Sequence, residues 1–383
     1  MLVRKLLTFL FCLSGAWVWA ADPAPPAAGG KTEEFTKINK EFNDLVANLG
    51  ALKNEYATSA SDTRKAEIRK QYNEGIVQAN AMVGKVVAAA ESAYAEAPNT
   101  DPKITELLVV TLAERVKRED YEAAFPVGKT LMEHKCTDKF VPALAGVAAY
   151  CVNEYDLAEP WLKAAKASGM LSKIGEDMHR EGYNHIPDVI DDTKADWAKE
   201  KKIREAEAKA DDLPRVHLKT SAGEMEIELF ENEAPNTALN FITLVDKGFY
   251  NGLKFHRVLE GFMAQGGDPK GDGTGGPGYT IPCECYRGDH RTHFRGSLSM
   301  AHAGRDTGGS QFFLTFVPTT FLNGKHTVFG RVISGFDVLA KLKRRDPNDP
   351  TVGAADTIIE AKVTRKRQHP YDVKDLKKSG KSD

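Results

Sequence analysis

Phe255-His256-Arg257-Val258, then Gly261-Phe262-Met263-Ala264-Gln265-Gly266-Gly267-Asp268, opens the stretch that decides how this chain folds. It continues through Gly296-Ser297-Leu298-Ser299-Met300-Ala301-His302-Ala303 and Gly308-Gly309-Ser310-Gln311-Phe312-Phe313. It closes with Phe321-Leu322-Asn323-Gly324-Lys325-His326-Thr327-Val328-Phe329-Gly330. On its amino-terminal side Val216 and Leu218 begin a strand, which Thr220 to Gly223 turns. Met225, Ile227 and Leu229 then alternate with Glu226, Glu228 and, across Phe230, Glu231. Period two broken by a glycine-containing turn predicts a hairpin with one buried face. Pro235 opens a helix over Leu239, Ile242, Leu244 and Val245 that Gly248 ends. A second short helix is predicted from Phe336 to Lys343. A last alternating strand uses Ile359, Ala361 and Val363. Many short strands with few helices predict a barrel or sandwich.

In their order these motifs resemble the cyclophilins, peptidyl-prolyl cis-trans isomerases, from about Arg215 to Arg367. The resemblance implies a closed eight-stranded antiparallel barrel with two helices. An X–Pro amide resists rotation by about 18–20 kcal/mol because conjugation makes its C–N bond partly double. No bond is broken in the exchange. A catalyst has to hold the twisted amide, so it needs an apolar slot, fixed donors, and a cation or donor near the proline nitrogen. It needs no nucleophile, metal or cofactor, and none is expected.

By resemblance, Arg257 supplies the guanidinium that binds near the prolyl carbonyl and the pyramidal nitrogen. Its permanent charge and planar fork suit that task better than Lys. Gln265 orients the substrate carbonyl. Phe262, Met263, Phe313 and Leu322 line the proline pocket, with His326 at its wall. Ala301, His302 and Gln311 border the groove for the preceding residues, and the contact at position 302 is largely through backbone. Phe321 stands where familiar eukaryotic members carry Trp, so the wall remains but the indole N–H donor is gone. Cyclosporin binding is put in doubt more than isomerisation.

Towards the amino terminus the pattern turns helical. Phe35, Ile38, Phe42, Leu45, Leu49, Leu52 and Tyr56 recur at spacings of three and four, and Ile68, Tyr72, Ile76, Ala79, Val83 and Val86 repeat the pattern after a break at Ser59 to Asp62. Two such seams predict a helical hairpin or short antiparallel coiled coil. Arg118 to Pro126 then lines up with Val152 to Pro160 at an offset of 34, matching Tyr121 with Tyr155, Ala124 with Ala158 and Pro126 with Pro160. Period and pattern resemble tetratricopeptide repeats, a family that binds peptides or partner proteins on its concave face. No basic clamp for a carboxylate stands out, so a spacer that holds the other domain is an equal reading.

The 383 residues are 42% hydrophobic and 28% charged, with a formal net charge of −2, which excludes a strongly basic nucleic-acid binder. Arg4 and Lys5, the apolar run Leu6 to Val18 and the small residue Ala20 read as a signal peptide. That run is short of the ~20 residues needed to span a bilayer, and no later segment is apolar enough to do so. The protein is therefore expected to be exported, periplasmic or secreted. Cys136 and Cys151 could pair between neighbouring helices or stay buried free thiols, the second being favoured. Gly271 to Gly276 matches a dinucleotide-binding pattern, but Pro277 onward cannot open the helix that phosphate binding requires, so it reads as a surface loop. Cys283, Cys285, His290 and His293 are too tightly spaced for an ordinary zinc site, and His256 reads as a packed histidine.

The expected layout follows. A signal peptide (1–20) and flexible leader (21–31) precede a helical domain (32–190) with a hairpin and tetratricopeptide-like repeats. A charged, solvated helical linker (191–213) leads to the isomerase domain (214–367) and a frayed basic tail (368–383). The expected partners are proline-containing polypeptide clients, and a protein on the helical domain. Two rivals are a scaffold whose isomerisation is incidental, and a barrel that binds peptides without turning them over. Arg257 and Gln265 argue against the latter.

Overall fold

The first apolar seam folds as α1 (Gly30–Thr58) and the second as α2 (Asp62–Glu96). The computed structural model describes residues 30–349, 351–371 and 376–379, so the expected signal peptide and the leader up to residue 29 lie outside the described residues. Ser61 starts α2 by accepting the Arg64 N–H at 3.3 Å. Phe35, Phe42, Leu49 and Leu52 of α1 are buried, as are Ile68, Ala79 and Val86 of α2. Gly75 permits the close approach, since a Cβ there would lie 2.8 Å from Leu49 Cδ2.

Then follow α3 (Pro102–Lys117), α4 (Tyr121–Glu133), α5 (Val141–Cys151), α6 (Tyr155–Ala167), α7 (Met170–Asp177), a 3-10 turn at Glu181–His185 and α8 (Ile186–Ala210). The offset of 34 recurs in the backbone: α4 and α6 each run 13 residues from the paired tyrosines. Glu119 (φ 62) and Asn153 (φ 67), also 34 apart, share the left-handed conformation, and so do Lys135 (φ 55) and Gly169 (φ 75). Cys136 and Cys151 are free thiols, as are Cys283 and Cys285.

Two compact units divide the chain: residues up to 116 with 123–145, and residues 117–122 with 146–383. The unit that holds the sheet thus reaches back beyond the expected boundary at Leu213–Pro214. Residues 191–210, expected as a solvated connector, are the end of α8, and their Glu200 and Glu207 are buried. Arg291 donates to both oxygens of Glu200 at 2.8 and 2.7 Å and to Glu207 at 2.5 Å, and Arg331 reaches Glu207 at 3.0 Å. Trp197 packs edge-on against Phe294, ring centroids 5.0 Å apart. A glutamate on a polar helix looks solvated from sequence whether or not a distant arginine covers it.

The sheet contains β1 (Arg215–Thr220), β2 (Gly223–Leu229), β3 (Arg257–Leu259), β4 (Met263–Gly266), β5 (Ser297–Met300), β6 (Phe312–Thr315), β7 (Val328–Ser334) and β8 (Ile358–Arg365), with α9 (Pro235–Asp246) and α10 (Phe336–Lys341) between strands. Every ladder is antiparallel, in the order β3-β4-β6-β5-β7-β2-β1-β8. This corrects the closed barrel: the sheet is an open half-barrel, with no ladder between β3 and β8 among the described residues. Only three residues long, β3 offers little edge to pair, and the isolated bridges Lys254–Thr357 and Val258–Arg345 stand in its place. The inward face of β8 also differs from expectation. A register shift against β1 at Lys219/Thr220 turns Ile358 inward and leaves Ile359 exposed.

The core is lined by Val216, Leu218, Ile227, Phe241, Tyr250, Phe255, Leu298, Phe312 and Phe329. The tail, expected to fray, is partly held. Leu376 is buried, and Asn236 both accepts the Lys377 N–H at 2.8 Å and donates to its carbonyl at 3.1 Å. No helix among the described residues is long and apolar enough to cross a membrane.

Candidate active site

Arg257 on β3 lies opposite Gln265 on β4, Gln265 opposite Phe313 on β6, and Phe313 opposite Ser299 on β5. Directly paired residues share a face, so one transverse row of the sheet presents all four to the same side. A directed chain of hydrogen bonds runs across it. Arg257 Nη1 donates to Gln265 Oε1 at 3.5 Å, and Gln265 Nε2 donates to Gln311 Oε1 at 2.9 Å. Gln311 Nε2 donates onward to the carbonyls of Gly273 and Gly275, each at 2.9 Å. Each amide has its oxygen toward the guanidinium and its nitrogen away, so both orientations are set.

Ten of the eleven residues singled out by sequence line a single cavity of about 540 Å³: Arg257, Phe262, Met263, Gln265, Ala301, His302, Gln311, Phe313, Leu322 and His326. The eleventh, Phe321, is 61% exposed and does not line it; its ring lies 5.7 Å from that of Phe262. Arg257 Cζ stands 5.8 Å from the Phe262 ring centroid, so a permanent cation borders an apolar wall. The two histidines stack with centroids 4.1 Å apart, and Phe313 meets His326 edge-on at 5.5 Å. His326 Nδ1 is 2.9 Å from the Met300 carbonyl, and burial holds its pKa below the ordinary histidine value. His302 Nε2 is 2.8 Å from the Lys325 carbonyl while its Nδ1 accepts the Gly304 N–H at 3.2 Å. These bonds give both histidines backbone carbonyl partners.

Sequence reasoning missed the opposite rim. Gly273 to Pro277, Tyr279 and Thr307 also line the cavity, so the glycine-rich loop is a wall of the site rather than bare surface. Its anchor is buried Asp268, which accepts the N–H groups of Lys270, Asp272 and Gly273 at 2.8, 3.1 and 2.5 Å. The aspartate ending the motif was the available signal. Tyr279 Oη donates to Asn240 Oδ1 at 2.7 Å and Asn240 Nδ2 to the Gly309 carbonyl at 2.7 Å, tying the loop to α9. Gly267 (φ 81) is forced, because a Cβ there would lie 2.3 Å from the Ser310 carbonyl oxygen.

Behind the site, His293 stacks parallel to Phe313 at 5.9 Å, with its ring nitrogens 3.0 Å from Asn323 Oδ1 and 2.9 Å from Ser299 Oγ. Burial pushes its pKa down to about 4. His256 is buried with both ring nitrogens lacking a hydrogen-bond partner, and burial lowers its pKa too. Among the described residues no group of three or more His, Cys, Asp or Glu could hold a metal ion.

The family model for cyclophilin type peptidyl-prolyl cis-trans isomerase/CLD matches residues 215–363. A peptidyl-prolyl cis-trans isomerase of Helicobacter pylori (strain ATCC 700392 / 26695) is 53% identical over 149 residues, 38% of this chain and 91% of that one. Peptidyl-prolyl cis-trans isomerase B of Bacillus subtilis (strain 168) is 54% identical over 129 residues, covering 34% and 90%. A crystal structure of a cyclophilin type peptidyl-prolyl cis-trans isomerase from Cryptosporidium parvum aligns at 32% identity over 39% of this chain and 97% of that one, with a TM-score of 0.37.

Proposed function

The chain belongs to the cyclophilin-type peptidyl-prolyl cis-trans isomerases, and from that premise we propose that Arg257 and Gln265 promote rotation about X–Pro bonds in exported client proteins. The observation that carries the assignment of roles is the register row joining Arg257, Gln265 and Phe313 beside one apolar cavity. Phe262, Met263, Phe313 and Leu322 take the proline ring out of water. As the amide twists, conjugation is lost and the nitrogen regains its lone pair. The Arg257 guanidinium stabilises that developing charge, and it costs little reorganisation because Gln265 already holds it. Gln265 and Gln311, oriented head to tail, hold the residues before the proline. Phe321 acts at most as an outer wall.

A prolyl-isomerisation assay on a short X–Pro peptide tests this directly. Arg257→Ala is expected to lower kcat/KM by roughly 10²–10³-fold with the thermal midpoint preserved; a rate equal to the unmodified protein's would refute the assigned role.

Arg4, Lys5 and the apolar run after them support export into the periplasm or medium. Sequencing the amino terminus of protein from an extracytoplasmic fraction should begin at Ala21, whereas full-length chain confined to the cytosol would count against export. The recurrence of helix length and left-handed turn at an offset of 34 supports a tetratricopeptide-like region that binds or positions a client or partner.

A further inference from the structure

The weakest piece of the sheet carries the arginine. Among the described residues β3 has three residues and one ladder neighbour, and beyond it the bridge Val258–Arg345. What holds it lies far away in sequence. Glu119 is fully buried, in the left-handed conformation (φ 62). One of its carboxylate oxygens accepts the Gly261 N–H, the other pairs with Arg344, and its carbonyl accepts from Arg295 Nη2 at 2.9 Å. Arg180 adds a second grip: its Nη1 donates to Glu260 at 2.9 Å, and its Nε stands 3.5 Å from Glu119. Gly261 (φ 66) has no room for a Cβ, which would meet Arg180 Cδ at 2.9 Å.

Glu260 and Gly261 are the middle of the Leu259–Phe262 turn, closed by the Phe262 N–H to the Leu259 carbonyl at 3.3 Å. The gripped residue therefore sits between the strand of Arg257 and the ring of Phe262. Arg344 is next to Arg345, whose backbone bridges Val258, so a single carboxylate ties both flanks of β3. The repeat offers a comparison. At the equivalent position Asn153 makes the same left-handed turn, which Asn tolerates better than Glu. Its side chain merely accepts from the nearby Tyr155 hydroxyl. The turn itself thus does not call for glutamate, and a buried carboxylate costs several kcal/mol unless it is paired. Its length and charge match Gly261 and Arg344.

We infer that Glu119 is a positioning residue for prolyl isomerisation: it fixes the β3–β4 turn and, through it, Arg257 and Phe262. This rests on the assignment of those two residues to the site. Misplacement by about 1 Å can cost on the order of 10²-fold in rate.

The experiment measures kcat, KM and thermal midpoint for the full chain on a short X–Pro peptide, with Glu119→Ala, Glu119→Gln, Glu200→Gln and Arg257→Ala. Glu119→Ala, folded by circular dichroism, should lose roughly tenfold or more in kcat/KM, mainly in kcat. Glu119→Gln, which keeps an acceptor for the Gly261 N–H, should recover part of that loss. Glu200→Gln weakens the Arg291 pair elsewhere in the same unit and should lower the midpoint with kcat and KM unchanged. A folded Glu119→Ala as active as the unmodified protein, beside an inactive Arg257→Ala, overturns the positioning role and leaves the site standing. Parallel losses in Glu119→Ala and Glu200→Gln that track the midpoint also overturn it, reducing Glu119 to a stability residue. If Glu119→Ala does not fold, Glu119→Gln decides: lowered kcat at unchanged KM supports the role, and unmodified kcat overturns it. An active Arg257→Ala removes the site assignment, and this inference with it.

Discussion

His293, stacked parallel to Phe313, sits where burial disfavours its charged form. Its pKa is near 4 in the folded protein and about 6.5 when exposed. Above pH 6.5 both states leave it neutral and it contributes no pH dependence. As pH falls from 6.5 toward 4 the unfolded chain takes up a proton that the folded one refuses, so stability is lost through that window. The loss reaches about 3 kcal/mol once pH is below the folded value. Thermal midpoints recorded from pH 7 to 4.5 should therefore fall more steeply for the native protein than for His293→Gln, and parallel curves would contradict the assignment. His256, also buried and lowered in pKa, adds to the native slope in both proteins, so the difference isolates His293. The roles proposed for Arg257 and Gln265 belong to this scale too. Their side chains are ordinary, and what distinguishes them is which strand partner each one faces.

At the scale of elements, two pieces without regular secondary structure shape the site. The Gly271–Gly276 loop has no ladder of its own, and Asp268 organises it by accepting three backbone N–H groups. Through the Gly273 and Gly275 carbonyls it holds Gln311, at the far end of the amide chain from Arg257. Asp268→Asn places a donor where an acceptor stood. It should raise KM for a peptide extended before the proline by roughly tenfold, about 1.4 kcal/mol, while kcat changes little. An unaltered KM would mean that the loop does not touch substrate. The β3–β4 turn is the second piece. Its glycine and its edge position leave its geometry to be set by contacts outside the sheet.

Across the whole molecule, the catalytic unit is larger than the stretch that matches the isomerase family. Arg291 and Arg295 are buried, and the acidic groups nearest them, Glu200, Glu207 and Glu122, precede residue 212, with Glu233 farther from Arg291 at 3.7 Å. A fragment of residues 212–383 should melt below the full chain's isomerase transition by about 10 °C, equivalent to a few kcal/mol, as read by calorimetry. An equal midpoint would show those pairs to be energetically neutral. The same fragment, compared with the full chain for binding an unfolded proline-rich client, tests the helical region's proposed part in recognition.

Much of this protein was legible along the chain. The helical hairpin, the repeat offset and the β1–β2 turn follow from periodicity and short motifs, because neighbours in sequence set helix faces, strand faces and turns. The residues carried over from the family resemblance are, ten of eleven, brought together around one cavity. Sequence alone determined that a strand-rich isomerase domain follows a helical region. The tertiary structure decided that the sheet stays open, that Ile358 rather than Ile359 faces inward, and that the glycine-rich loop is a wall of the cavity. It also decided that glutamates on a polar helix are buried. Those outcomes depend on register shifts and on pairs such as Glu119 with Arg344, 225 residues apart. No local pattern records which distant charge will meet another once the chain is folded.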